Sequence, residues 1–293
     1  MRESEKILYH YTSLEGVLGI TLSKSIWATN ILYLNDASEL NYSLDMLKEQ
    51  VDEFKNDIPV DKNWLYKLNF FDKLIDKFNR LITNTKILGF FVCSFSEEKD
   101  LLSQWRGYCA KGIGFSLGFE LSKLRKCARQ KNCLIRPCNY DKKKQISAIR
   151  KLISELSSQF DAVIRNSSAV DQVNIDANEL GLLAEFLIKF NEIAPTFKHP
   201  KFKEEKEWRI IVRRNFRSKG SIESIKFRTG PSMIVPYIEF PLPREEEDLI
   251  INKIIVGPTH DSILSKASIE MLLKSKNVRF NEVQESTIPY RNW

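Results

Sequence analysis

The chain has 293 residues, of which 43% are hydrophobic and 28% charged, and its 45 basic and 38 acidic side chains leave a net charge of +7. That balance supports a sizeable core, is too apolar for a disordered chain, and includes no run near the roughly 18 apolar residues of a membrane helix. A charged start without an apolar leader, together with five cysteines, three histidines and no C-x-x-C pair, sets the expectation of a cytoplasmic protein with reduced thiols and no zinc site.

In chain order, Ile7–Thr12 reads as a short strand, and Ser13 stands at the N-cap of a helix carrying Leu14, Val17, Leu18 and Leu22. Ser25–Asn30 is a second strand. Asp36–Glu39 has capping-box spacing, ahead of a stripe of Leu40, Leu44, Leu47, Val51 and Phe54. Trp64–Ile82 is amphipathic, and Ile87–Phe95 reads as a buried strand. Asp100 stands where it would cap a short helix with Gln104, Trp105 and Tyr108, and Gly112–Phe119 is strand-like. Residues 141–165 and 176–193 read as helices. Strands follow at Glu207–Arg213, Ser224–Arg228, Ser232–Phe240 and Leu249–Val256. Gly257-Pro258 ends the last of these, Asp261 or Ser262 opens a helix, and Val278–Val283 closes the pattern. The expectation is one α+β domain over 1–293 with helical insertions near 40–84 and 141–195.

Charge is uneven. Residues 1–100 carry 12 basic and 16 acidic groups, whereas Lys123–Lys151 holds eleven Lys or Arg against Asp141 alone. Such a run attracts polyanions, although solvated helix and loop surface explains it equally.

The most informative stretch is Glu205-Lys206-Glu207-Trp208-Arg209. A strand starting near Glu205 puts Glu205, Glu207 and Arg209 on one face, with Trp208 and Ile210 on the other. Two carboxylates beside a guanidinium can hold different protonation states, though a solvated strand face is the plainer account. His10 and Thr12 share a face of the first strand, as do Ser94 and Ser96 on a later one. Trp105 and Tyr108, three apart on a helix, either stack on a planar ring or fill the core. No G-x-G-x-x-G, P-loop or G-x-S-x-G appears, and no spacing selects one cysteine as a nucleophile.

Nine short segments occur in order: Leu8–Ser13, Ile26–Asn30, Tyr33–Asp36, Ser94–Ser96, Leu102–Tyr108, Phe197–Pro200, Glu205–Arg209, Ile254–Pro258 and Ile288–Arg291. Together they resemble a bacterial family catalogued as a domain of unknown function, DUF2971. The pattern in turn looks like a divergent branch of the ADP-ribosyltransferase superfamily, which implies split mixed or antiparallel sheets with NAD in the cleft between them. By that resemblance His10, Tyr11 and Thr12 hold NAD, with Ser94 and Arg209 beside it. Glu207 stabilises the ribosyl cation, Glu205 matches the first acid of an E-x-E motif, and Tyr108 or Trp105 stacks on nicotinamide. Tyr11 is bulkier than the glycine found there in some branches. The implied activity is ADP-ribosyl transfer to a nucleic acid or protein, or NAD hydrolysis with water as acceptor, in a toxin or phage-defence effector. Two other classes stay open: a nuclease or nucleic-acid-binding effector using His10, Glu205, Glu207 and Arg209, and a non-catalytic nucleotide-binding module.

Overall fold

The computed structural model describes residues 5–34, 38–83, 89–109, 113–166, 172–214, 219–230 and 232–289. The chain forms two compact units, each assembled from separated stretches. One takes Met1–Tyr33, Phe90–Cys138 and Phe202–Trp293 and holds every described strand; the other takes Leu34–Gly89 and Asn139–Lys201 and is helical. No described helix is long and apolar enough to cross a membrane.

The strand unit starts with β1 (Ile7–Thr12). Ser13 then caps α1 (Leu14–Ser23), its hydroxyl accepting from the Gly16 amide at 3.2 Å. Lys24 ends α1 in the left-handed conformation (φ 52°) and turns the chain into β2 (Ser25–Asn30). After β2 the chain forms the helices α2 (Ser38–Asn56) and α3 (Trp64–Thr83). It returns through β3 (Phe90–Ser96), α4 (Leu102–Tyr108), β4 (Phe115–Glu120), α5 (Leu121–Gln130) and β5 (Leu134–Pro137). Two further helices, α6 (Lys142–Asn166) and α7 (Gln172–Ile193), precede β6 (Glu207–Arg213) and the short α8 (Lys219–Glu223). The chain closes with β7 (Lys226–Thr229), β8 (Ile234–Pro241), β9 (Arg244–Glu245), β10 (Asp248–Val256), α9 (Ser262–Ser275) and β11 (Val278–Glu285).

These strands make one curled sheet in the order β11-β10-β4-β1-β3-β2-β8-β7, with β6 and β5 added beside β3 and β9 beside β10. Every pairing is antiparallel except β10 with β11. Alternation sorts the side chains. Leu8, Phe95, Leu117, Trp208, Ile210, Ile238 and Ile254 join the main core, where α1, α5 and α9 supply Val17, Leu124 and Leu273. Each such large apolar side chain contributes about 1.5–3 kcal/mol when fully buried. On the other side of β1 and β4, Tyr9 and Tyr11 pack with Trp105, Cys109 and Ile255. Gly118 is required there, because a Cβ at this position would stand 2.7 Å from the Tyr9 ring.

The helical unit packs α2, α3, α6 and α7 through aromatic rings. Phe70 and Phe160 stack at 4.0 Å, and Phe78 meets Phe190 edge-on at 5.1 Å. The expected stripe of α2 is buried at Leu44, Leu47 and Val51. Gln145, fully buried, accepts from the Tyr42 hydroxyl at 2.9 Å and donates to the Lys198 carbonyl at 3.0 Å.

The α+β class is as expected, and several elements match residue for residue: β1, the Ser13 cap, β2 and β6. Four details differ. Asp100 does not cap α4, whose N-cap is Leu101 without a side-chain bond. Its carboxylate instead gathers the Trp105 indole N–H (2.7 Å), the Ser286 hydroxyl (2.6 Å) and the Thr287 amide (2.8 Å). α5, whose buried apolar positions are outnumbered by basic residues, and the four-residue β5 are not among the expected elements. β7 and β8 each start two residues later than expected. Last, although β6 has its expected range, Glu205 does not extend it as the shared face with Glu207 requires: residues Pro200–Glu205 form a 3-10 turn and Lys206 has a positive φ of 41°. Parts of two expected features, the capping box at Asp36 and the start of the Ile87 strand, lie outside the described residues.

Candidate functional site around β1, β3 and β6

β3 carries the site because its two edges are paired so differently. One edge zips to β6 over seven consecutive pairs, Phe90 with Arg213 through Ser96 with Glu207. The other edge is shared: β2 takes Val92 and Phe91, and β1 takes only Ser96, through Tyr9. Cys93, Ser94 and Phe95 therefore have no strand partner on that side.

The His10 side chain reaches this gap. Its Nδ1 lies 2.9 Å from the Ser94 carbonyl oxygen and its ring 5.7 Å from that of Phe95. A carbonyl can only accept, so Nδ1 carries the proton and Nε2 keeps a lone pair. Burial pushes the imidazole down to about 4, partly offset by the bond to Ser94, so the ring is neutral at pH 7. Nε2 has no partner among the described residues.

Register puts Ser94 opposite Arg209 and Ser96 opposite Glu207, all four on one side of the sheet. There Arg209 grips Glu207 with both arms, Nε to Oε1 at 2.7 Å and Nη2 to Oε2 at 3.1 Å. Both side chains are buried, at 3% and 4% exposure. The permanently charged guanidinium favours an ionised carboxylate, and its planar fork fixes the carboxylate's orientation. On the reverse of β6, Trp208 packs into the core and donates its indole N–H to Glu97 at 2.6 Å.

The remaining expected site residues fall elsewhere. Glu205, in its 3-10 turn, does not share the strand face with Glu207; its carbonyl accepts the Ser96 hydroxyl at 2.6 Å. The positive φ at Lys206 resets the alternation that sequence spacing implies. Tyr11 points away from His10, and its hydroxyl donates to the Glu98 carbonyl (2.8 Å) and accepts from the Leu101 amide (3.0 Å). Trp105 is fully buried, edge-on to Tyr11 at 4.7 Å, so it has no free face for a ligand; Tyr108, three residues on, is exposed. Thr12 is buried on the His10 side of β1. Thus Glu207, Arg209 and Ser94 come together, the His10 side chain lies on the opposite, core side of the sheet and meets Ser94 only through its carbonyl, and Glu205 and Trp105 stand apart.

Thiol chemistry is disfavoured. Burial pushes Cys93 far up, aided by the nearby Glu207 charge, and pushes Cys109 up to about 12. The basic run spans both units. Lys123 pairs with Glu120 and Glu245 in the strand unit, while Arg150 pairs with Glu53 in the helical unit. Among the described residues no three His, Cys, Asp or Glu side chains gather as a metal-binding group.

No curated protein and no solved structure matches the chain. Residues 104–210, from α4 into β6 and including both Trp105 and the Glu207–Arg209 pair, match the family described as Protein of unknown function (DUF2971), which supports the family read from the chain's motifs.

Proposed function

We propose that the protein breaks the bond between nicotinamide and ribose in NAD and transfers the ADP-ribosyl group to water or to a nucleophile on a macromolecule. The observation that carries this reading is the buried Glu207–Arg209 pair set beside Ser94 at the unzipped edge of β3. Cleavage sends the bonding electrons to the nicotinamide nitrogen, so nicotinamide leaves neutral and positive charge grows on the ribose C1′. An ionised, oriented carboxylate stabilises that charge in the transition state more than in bound NAD, which is what lowers a barrier. Arg209 is a positioning residue for Glu207. Ser94, whose hydroxyl has no partner among the described residues, shares the sheet face of Glu207 and offers a hydrogen bond to a ribose hydroxyl. The acceptor oxygen then bonds to C1′ and releases its proton to solvent.

The test is nicotinamide release from NAD by purified wild type, Glu207→Asp and Glu207→Gln, with and without cell lysate. Glu207→Asp keeps the charge but withdraws it by one methylene, and Glu207→Gln removes it. The expected result is release by wild type and at least about a hundredfold loss in both variants, with thermal melting confirming that the Asp variant is folded. Stimulation by lysate would identify a macromolecular acceptor. A folded Glu207→Asp variant with wild-type turnover would remove Glu207 from the mechanism.

A further inference from the structure

We infer that the face of β2, β8 and β7 opposite the core is a binding surface for single-stranded nucleic acid, centred on Trp27, Tyr237 and Arg228. The inference does not depend on the NAD reading. The register sets Trp27 opposite Glu239 and Thr29 opposite Tyr237 on β2 and β8, and Lys226 opposite Tyr237 and Arg228 opposite Val235 on β7 and β8. Alternation therefore places Trp27, Tyr237, Glu239, Lys226 and Arg228 on one face. The core side of the same strands buries Ile26, Ala28, Ile238 and Phe240.

Three features of this face fit an unpaired base with its phosphate. First, Trp27 is 44% exposed, and its indole rests against the Tyr237 ring at 4.5 Å with 34° between planes. A large ring held at a fixed tilt by a neighbour, yet open to solvent, is a stacking platform, and stacking on aromatic rings is sequence-tolerant. Second, the Arg228 guanidinium lies 5.9 Å from the indole centroid, at the outer limit of a cation–π contact, so it is not locked onto the ring. Its Nε is buried and has no hydrogen-bond partner among the described residues, an unfavourable state that turning the guanidinium outward to a phosphate oxygen relieves. Third, the charge left over is positive. Lys226 is paired with Glu239 at 2.8 Å, leaving Arg228, and Arg213 stands exposed on the same sheet face through the Thr29–Val92 and Phe90–Arg213 registers.

The choice of a single strand follows from geometry. Bases in a duplex hide their rings, so only an unpaired base can lie on Trp27. A mononucleotide offers one stack and no second phosphate, whereas a strand supplies further bases and phosphates.

The experiment is fluorescence anisotropy with a labelled oligothymidylate of about 15 nucleotides, the upper range of a single such site, in the absence of NAD. Wild type is expected to bind at low salt and more tightly than it binds a duplex of equal length. Trp27→Ala is expected to weaken binding at least about fivefold with an unchanged salt slope, and Trp27→Phe to retain most of it. Arg228→Ala is expected to weaken binding and lower the slope of log affinity against log salt by about 0.7. Trp27→Leu, which keeps apolar bulk and removes the indole ring, guards against a folding defect and is expected to behave as the Ala variant. Equal affinity in wild type, Trp27→Ala and Trp27→Leu would overturn the inference. So would absence of binding at low salt, or displacement of the oligonucleotide by AMP as effectively as by unlabelled strand.

Discussion

The two edges of β3 make the same seven residues do opposite work. Toward β6 every residue is paired, Cys93 and Phe95 point with Ile210 and Trp208 into the core, and the polar face closes over an Arg–Glu pair. Toward β1 and β2 three strand positions are paired in all, and one of the carbonyls left over is met by an imidazole instead of an amide. The zipped edge makes the carboxylate rigid, and the unpaired edge is filled by the imidazole. A rigid, oriented charge is what an electrostatic site needs.

Arg209→Ala breaks the zipped edge most severely. It strands the Glu207 carboxylate without its partner, and the loss of a buried partner typically costs about 3–5 kcal/mol. Denaturant unfolding reads this directly, and a loss below about 1 kcal/mol would mean that the pair is not buried as described.

Acid acts on the open edge. His10 has a folded-state pKa of about 4, below its ordinary 6.5, so its contribution is complete above pH 6.5 and is lost as pH falls through 4. The full span is at most about 3 kcal/mol, from 1.36 kcal/mol per unit. Unfolding of wild type and His10→Asn, compared from pH 7.5 to 4, should show the wild-type advantage shrink and then reverse on acidification. Parallel curves would show that His10 is not held neutral.

At pH 7.5 the same His10→Asn change should cost under about 1.5 kcal/mol, the range of one hydrogen bond, because the amide can still donate to the Ser94 carbonyl. The ratio of this loss to that of Arg209→Ala measures how unequal the two edges are.

Much of the fold was legible because apolar and polar residues alternate cleanly. β1, β2 and β6 carry that pattern, and Ser13 carries an unambiguous cap. α5 was not legible, since Leu121, Leu124 and Ala128 are separated by basic residues that outweigh them in any window. Glu207 and Arg209 were legible as face-sharing neighbours, but Glu205 was not separable from them by spacing. One left-handed residue, Lys206, breaks the alternation, and nothing about lysine announces that conformation. Trp105 illustrates the opposite difficulty: an aromatic at helical spacing has the same signature whether it waits for a ligand or fills the core, and the acceptor at Asp100 that satisfies its indole lies in the adjoining loop. The Trp27 platform is not legible in the sequence because its partners come from β7 and β8, some 200 residues away, and only pairing brings them to one face.

The most direct test of the account is a double-mutant cycle on nicotinamide release, combining Ser94→Ala with Glu207→Asp and reading kcat/KM for NAD. If both side chains act on one ribose from their shared sheet face, the double variant should be less impaired than the product of the two single losses, with a coupling of at least about 1 kcal/mol. Independent, multiplicative losses, or a folded wild type that releases no nicotinamide, would contradict it.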